Sequence, residues 1–480
     1  MTIFVKSKRV MVSKEELRKL DKEQLVNLVS DLLIQSDALA SLVHHLQDEI
    51  NKLKTHKNSG NSSLPPSHDL FSIRNQSLRG KSGKKSGGQP GHKGETLRMS
   101  PHPDKIVEHH PENICPQCGR IQARETLQMT GQRQVIDIPI IKASFTEHQI
   151  YQAVCTCGHV STGSYPAGVN APVQYGNNLI ALTAYLSSRQ YVPYNRLSEL
   201  IKNITTVTMS EGTIFNLLNK AANMVLPIYR GIKEELSKAT IVGGDETGMK
   251  VEKNKFWAWT WQNLRATYIT ISKSRGFVTV ENTFPDGFRN ATFISDSLGA
   301  QLKTTALRHQ LCLAHILREL NFFEELYHHK WATDMKDLLM RAIRLKDSMT
   351  LKQYAGPFEE RMTILHEFEE IVNQSLPESV SKILPLQKRL KKRGHQIFPF
   401  LFNPDVPYEN NGSERAIRNV KVKQKVSGGF RSERGAEIFA ILRSVVDTII
   451  KKGGEPFGSI RFALNVAACK NEYLSQAHRN

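Results

Sequence analysis

Between Leu25 and Leu53 apolar side chains recur at alternating steps of four and three: Leu25, Val29, Leu32, Leu39, Val43, Leu46, Ile50 and Leu53, with Ser36 in the one gap. That is a heptad seam of about four repeats, preceded by a capping box at Ser13-Lys-Glu-Glu16. It predicts a coiled coil, and therefore a dimer; the competing reading is one amphipathic helix packed on its own chain. From Gln132 to Tyr151 the period drops to two, which predicts strands over Val135–Ile141 and Phe145–Tyr151. Residues 171–238 return to helical spacing. There Tyr194–Ile201, a short turn and a helix opening at Ser210 resemble a helix-turn-helix, although an ordinary helical hairpin fits equally well.

The next stretch, Thr240–Val251, runs from small and β-branched residues through Asp245 and Glu246 to Met249 and Val251. With the β-branched and aromatic runs Phe256–Trp261 and Ala266–Ile271 it predicts three consecutive antiparallel strands. A fourth apolar run, Ala291–Ser295, ends at Asp296. Helical patterns then fill Leu311–Leu320 and much of 330–393, a helix starts within Glu409–Arg418, and an apolar helix covers Gly435–Lys452.

Composition narrows the partners. The 480 residues carry a net charge of +19, which points to a polyanion. No apolar run reads as membrane-spanning, and the N-terminus, with Lys6, Lys8 and Arg9, does not read as a signal peptide. Residues 56–105 are rich in Ser, Gly, Pro, Asn and Lys and read as a basic flexible linker, with Lys84, Lys85 and Lys93 available to track phosphates. The bland alternative, a solvated tether, is compatible with that role.

Two sets of residues carry chemistry. Cys115-Pro-Gln-Cys118 and Cys155-Thr-Cys157 form close pairs, each followed by glycine. Four thiolates on two knuckles suit a closed tetrahedral zinc site that folds a small β domain; a redox pair or free thiols are the alternatives. Asp245 and Asp296 on strands and Glu414 at a helix start can converge as a hard-oxygen site for paired divalent cations. Glu246, one residue on along the strand, points to the opposite face and is expected to be structural. After Glu414 come Arg415, Arg418, Lys421, Lys423 and Lys425, suited to phosphate oxygens. Cys312 and His315 lie one helical turn apart; two ligands do not make a metal site, and His315 reads rather as a packed or phosphate-contacting residue.

Six ordered segments add a resemblance: Lys57–Ser67, Gly87–Gly94, the two cysteine pairs, Asp245-Glu-Thr-Gly248, Cys312-Leu-Ala-His315 and Asn410–Arg415. Together they resemble the insertion sequence 66 family of bacterial transposases from about residue 20 to about residue 460. Leu64 stands where a lysine is common, and Gly412-Ser413 replaces the usual alanines; neither touches a carboxylate. The resemblance implies a multidomain α+β protein with an RNase H-like, retroviral-integrase-like core, its acidic triad falling on Asp245, Asp296 and Glu414. It implies two catalytic Mg2+ ions, replaceable by Mn2+, acting on double-stranded DNA. The expected organisation is coiled coil (1–55), linker (56–105), zinc-binding domain (106–168), helical domain (169–237), core (238–300), helical insertion (301–405), core again (406–452) and tail (453–480). The expected setting is the bacterial cytoplasm, at the nucleoid, with no membrane partner. The alternative is a catalytically inactive DNA-binding regulator derived from a transposase.

Overall fold

The computed structural model describes residues 19–54, 57–58, 61–62, 91, 97–121, 124, 127–138, 141–166, 168–356 and 358–477. The capping box at Ser13 and the linker lysines Lys84, Lys85 and Lys93 lie outside them. Two compact units are present: residues 77–163 with 198–210, and the remainder of the chain.

In the larger unit the heptad stretch forms one helix, α1 (Lys22–Lys54). Asp21 and Gln24 start it with a reciprocal pair: Gln24 N–H donates to Asp21 Oδ1 at 2.8 Å and Asp21 N–H to Gln24 Oε1 at 3.1 Å. The seam is not covered by its own chain, for Leu32, Leu39 and Leu46 stand 55%, 62% and 52% exposed. Contrary to the reading that no apolar run is long enough, Lys22–Val43 has the length and hydropathy to cross a membrane. Asp31 and Asp37 within it would be costly in hydrocarbon, and the heptad period suits a partner helix better.

The smaller unit is less regular than its alternation predicts. Residues 135–138 and 145–150 form no strand. Their apolar side chains find no layer to pack on, with Val135 93% and Phe145 88% exposed, and alternation without a covering face does not hold a sheet. What does form is β1 (Gln152–Val154) paired antiparallel with β2 (Val160–Thr162), the hairpin of the second cysteine pair.

The larger unit is built on a five-stranded sheet. Helices α2 (Asn177–Ser188), α4 (Glu211–Met224) and α5 (Leu226–Ser237) of this unit precede it in the chain, while α3 (Tyr194–Thr205) passes into the smaller unit at Ser198. The strands are β3 (Ile241–Val251), β4 (Asn254–Gln262), β5 (Thr267–Ser272), β6 (Phe288–Ser295) and β7 (Ala306–Leu311), in the order β5-β4-β3-β6-β7. β3, β4 and β5 form the antiparallel meander that the sequence predicts, whereas β6 and β7 add in parallel. A parallel addition needs a crossover, and α6 (Phe277–Thr283) and α7 (Gly299–Leu302) lie in the two connections.

Both faces of the sheet are buried, which explains the almost unbroken apolar character of β4. On one face Met249, Val251, Phe256 and Ala258 pack with Val420, Ala436, Phe439 and Ala440 of two late helices, α13 (Asn411–Ser427) and α14 (Glu433–Lys451). On the other Trp259 and Trp261 stack at 5.8 Å, and Trp261 meets Phe284 edge-on at 5.1 Å. The open edge of β5 is closed by α14, where Ser444 Oγ accepts from Ile269 N–H at 2.9 Å and Thr448 Oγ1 from Thr267 N–H at 3.1 Å.

Two boundaries differ from expectation. β7 lies inside the span expected to be a helical insertion, so the sheet runs on to Leu311. Its Ala-Leu-Arg-His-Gln-Leu pattern hides it, because the buried Gln310 is satisfied by Ile397 O (3.0 Å) and Phe400 N–H (3.0 Å) rather than by water. The insertion proper is α8 (Leu313–Tyr327), α9 (Lys330–Ser348), α10 (Leu351–Ala355), α11 (Glu359–Val372) and α12 (Leu384–Lys392). The expected tail is a helix, α15 (Pro456–Ala477), with Ile460 and Leu464 buried and Asn465 hydrogen-bonded to Asn177 at 3.0 Å.

The start of the expected flexible linker is also held. Asn61 is 1% exposed and donates to Glu325 of α8 at 2.6 Å, and the Lys57 ammonium sits 5.4 Å over the Phe322 ring.

Candidate active site

The register of the sheet sets the site. Gly243 on β3 pairs with Ile294 on β6, so two residues further along each parallel strand bring Asp245 level with Asp296. Ser295 pairs with Leu311 of β7, which puts Cys312 level with Asp296 in turn, and Cys312 N–H donates to Ser295 O at 2.8 Å. Asp245, where β3 has stopped pairing with β6 and runs on beside β4, is therefore level with Asp296 and Cys312 at the carboxyl ends of the parallel strands β6 and β7. In open sheets of this kind these ends are where ligands bind.

Alternation fixes the face. Asp245 is opposite Thr260, and Met249, four residues on, belongs to the face covered by α13. Glu414 stands in the first turn of that helix. Asn410 ties the helix start to the strands: its side-chain amide donates to Gly244 O at 2.7 Å and its Oδ1 accepts from Ser413 Oγ at 2.7 Å. Its backbone N–H donates to Cys312 Sγ at 3.2 Å. α8 begins just past Cys312, with Leu313 N–H on Tyr408 O at 2.9 Å, and presents His315 and Arg318. Donor atoms of Cys312, His315 and Glu414 all lie within 4.8 Å of one another, and Arg318 Nη1 is 4.0 Å from Glu414 Oε1.

The electrostatics are those of crowded, largely buried acids. Burial, with the charges of Glu246 and Asp296, pushes the Asp245 carboxyl well above the usual carboxylate range; His315 opposes the shift. Glu414 Oε1 and His315 Nδ1 are buried and, among the described residues, have no hydrogen-bond partner. Asp296 Oδ1 accepts from Leu298 N–H at 2.9 Å, which steadies the turn after β6.

Glu246 is on the other face, as expected. Arg275 binds it through Nε (3.0 Å) and Nη2 (2.8 Å), Gln301 donates to its second oxygen, and burial with the Asp296 charge raises it to about 7. It serves the packing of the loop after β5 and of α7.

The basic residues divide. Arg415, Arg418 and Lys425 are exposed on α13. Lys421 is exposed but donates to Gly248 O at 2.6 Å, tying α13 to β3. Lys423 does not fit the expected phosphate contact: it is 6% exposed, faces the carbonyls of Ser187 and Val192 at 3.5 Å, and burial lowers it to about 8. Helical rotation turns it away from the exposed face that carries Arg418 and Lys425. Reading the sequence missed Asn410, whose signal was only an Asn-Asn-Gly before a helix, and Arg318, one turn past His315 on the same face.

Among the described residues, Cys312, His315 and Glu414 are the only three metal-ligand side chains so gathered. The four zinc-type cysteines each sit on a formed knuckle. Cys115 N–H is on Arg120 O at 2.8 Å and Gly119 N–H on Cys115 O at 2.9 Å; Cys155 N–H is on His159 O at 2.8 Å and Gly158 N–H on Cys155 O at 2.8 Å. Gly119 and Gly158 take the positive φ (69° and 89°) that these turns require.

The close approach of α13 to β3 depends on Gly243. A Cβ there would lie 2.6 Å from Asn410 Oδ1 and 2.9 Å from Ser413 Oγ. Gly243→Ala should therefore cost about 1–3 kcal/mol and displace the helix start that bears Glu414. A thermal melt and a DNA cleavage assay on the same preparation check both effects; unchanged behaviour in both would remove this contact from the account.

The model of the transposase IS66 family matches residues 172–438, and a family of unknown function (DUF6444) matches residues 9–98. No curated protein matches the chain. The first match spans more than half of the sequence, from α2 into α14, and takes in all three carboxylates: the chain belongs to the transposase IS66 family.

Proposed function

We propose that this transposase cuts DNA at the ends of its mobile element and joins the freed 3′-OH to target DNA by phosphoryl transfer. The core is read as RNase H-like, with Asp245, Asp296 and Glu414 as its catalytic trio. What supports this reading is the sheet register that brings Asp245 level with Asp296, together with the packing on the same face of β3 of the helix whose first turn carries Glu414.

The residues suit the two Mg2+ ions that this chemistry uses. Burial together with neighbouring carboxyls that raise Asp245, and a buried Glu414 oxygen that makes no hydrogen bond among the described residues, are arrangements that a cation relieves. Asp245, Asp296 and Glu414 would hold the ions, with Mn2+ able to replace Mg2+. When bound, they supply Lewis-acid activation of the attacking oxygen and charge stabilisation at the leaving oxygen.

The chain does the positioning. Asn410 sets Glu414 against β3, and the sheet register sets Asp245 against Asp296. The exposed Arg415, Arg418 and Lys425 would hold phosphates and fix the strand in line, with Arg318 beside Glu414. Incubation with element-end duplex in Mg2+ should yield nicked and then joined products, and EDTA should abolish both. Binding without cutting, with the ions present, would leave the regulator reading instead.

The exposed seam of α1 supports self-association, which suits an enzyme that must bring two DNA ends together. Leu32→Asp combined with Leu39→Asp should halve the mass seen by analytical ultracentrifugation; an unchanged mass would exclude the seam. One structural Zn2+ on Cys115, Cys118, Cys155 and Cys157 would draw the two knuckles together. Cys118→Ser should lower the zinc content by one ion per chain, and equal zinc in variant and parent would count against the site.

A further inference from the structure

We propose that Cys312, His315 and Glu414 form a site for one thiophilic transition-metal ion of the zinc class, distinct in its donors from the hard-oxygen pair Asp245 and Asp296. The donor atoms lie within 4.8 Å of one another. Ligands around a tetrahedral ion of this kind sit roughly 3.5 Å apart, given metal–ligand lengths of about 2.0–2.3 Å. The three side chains thus need to close by about an ångström, which rotation about their own bonds supplies.

A second observation points to a ligand. His315 Nδ1 and Glu414 Oε1 are both buried, and among the described residues neither has a hydrogen-bond partner, the Arg318 guanidinium standing off the Glu414 oxygen at 4.0 Å. Native proteins rarely leave such atoms unpaired, because each costs about 1–3 kcal/mol. An ion satisfies both at once. The third donor is prepared as well: Cys312 Sγ accepts the Asn410 N–H at 3.2 Å, an outer contact that steadies a metal-bound sulfur. The thiol proton leaves to solvent as the metal–sulfur bond forms.

The three groups come from two elements locked together by Asn410 and by the Leu313–Tyr408 hydrogen bond, so the site is built rather than fortuitous. Three protein donors leave a fourth position open, for water or a phosphate oxygen. The site also draws on Glu414. If the transposase reading holds, occupancy by zinc withdraws that carboxylate from the magnesium ions, and zinc becomes a brake on cleavage.

The test is cobalt titration of the full chain without DNA, read by near-ultraviolet sulfur-to-cobalt absorption and by equilibrium dialysis. Cys312→Ser and His315→Gln should each bind one equivalent less than the parent. A Cys115→Ser/Cys118→Ser reference keeps the sulfur-to-cobalt signal that Cys312 provides. Two substitutions at the site guard against one that fails to fold, since circular dichroism identifies the usable one. Equal cobalt binding in the parent and in the folded variants overturns the proposal. Because no DNA is cut, a failure here and a failure of the transposase reading are separate results.

Discussion

Asp245→Asn should reduce cleavage of element-end DNA by at least about a thousandfold, while DNA binding is unchanged. The substitution preserves shape and removes one negative charge from a site that depends on several. Losing one ligand to the metal pair forfeits several kcal/mol of transition-state stabilisation, and each 1.36 kcal/mol is tenfold in rate. The exposed cations Arg415, Arg418 and Lys425 are untouched, so affinity for the duplex should hold. The neighbouring acid is the control. Glu246 is bonded to Arg275 and Gln301 on the opposite face, so Glu246→Gln should keep cleavage within about tenfold of the parent. Gel assays of cleavage beside mobility-shift titrations decide the matter. Robust cutting by Asp245→Asn, or equal loss in both variants, would remove Asp245 from the trio.

Arg443→Met should be the most damaging single change to stability, at about 3–5 kcal/mol. Arg443 is 1% exposed in the middle of α14. It pairs with Asp447, donates to Ser188 O at 3.2 Å, and lies 5.4 Å over the Tyr191 ring. Removing the guanidinium strands a carboxylate that is 8% exposed. Tyr191 hydrogen-bonds Asn419 of α13 at 2.7 Å, so the loss reaches the helix that carries Glu414. Replacing both partners, as in Arg443→Met/Asp447→Leu, should recover most of the stability, because the packing remains and no charge is stranded. Denaturant midpoints for the three chains check this; a double variant as weak as the single one would contradict it.

The larger unit was legible where local pattern and tertiary burial agree. The meander from Thr240 to Ile271 carries β-branched and aromatic residues and is buried on both faces, so pattern and structure coincide. The carboxylates were legible because each belongs to a readable element: Asp245 within β3, Asp296 just past β6 and Glu414 in the first turn of α13. β7 was not, since its polar Gln310 is satisfied inside the protein. Lys423 was misread because a charged residue suggests solvent, and only the packing of α13 on α2 and α14 shows where it points. The strands expected at 135–141 and 145–151 illustrate the reverse error: alternation is a sheet signal only if something covers the apolar side. The Cys312–His315 pair was passed over because its third donor lies a hundred residues away, beyond the reach of local spacing.

The first two carboxylates are close in the chain, but the third follows Asp296 only after the whole run of helices α8 to α12 and the loop up to α13. A ribosome adding about 5–20 residues per second would release Asp245 and Asp296 many seconds before Glu414. A nascent or prematurely stopped chain that already bears its basic N-terminal segments could thus settle on DNA with no power to break it. On the proposed reading, the order of synthesis makes cutting the last competence the molecule acquires.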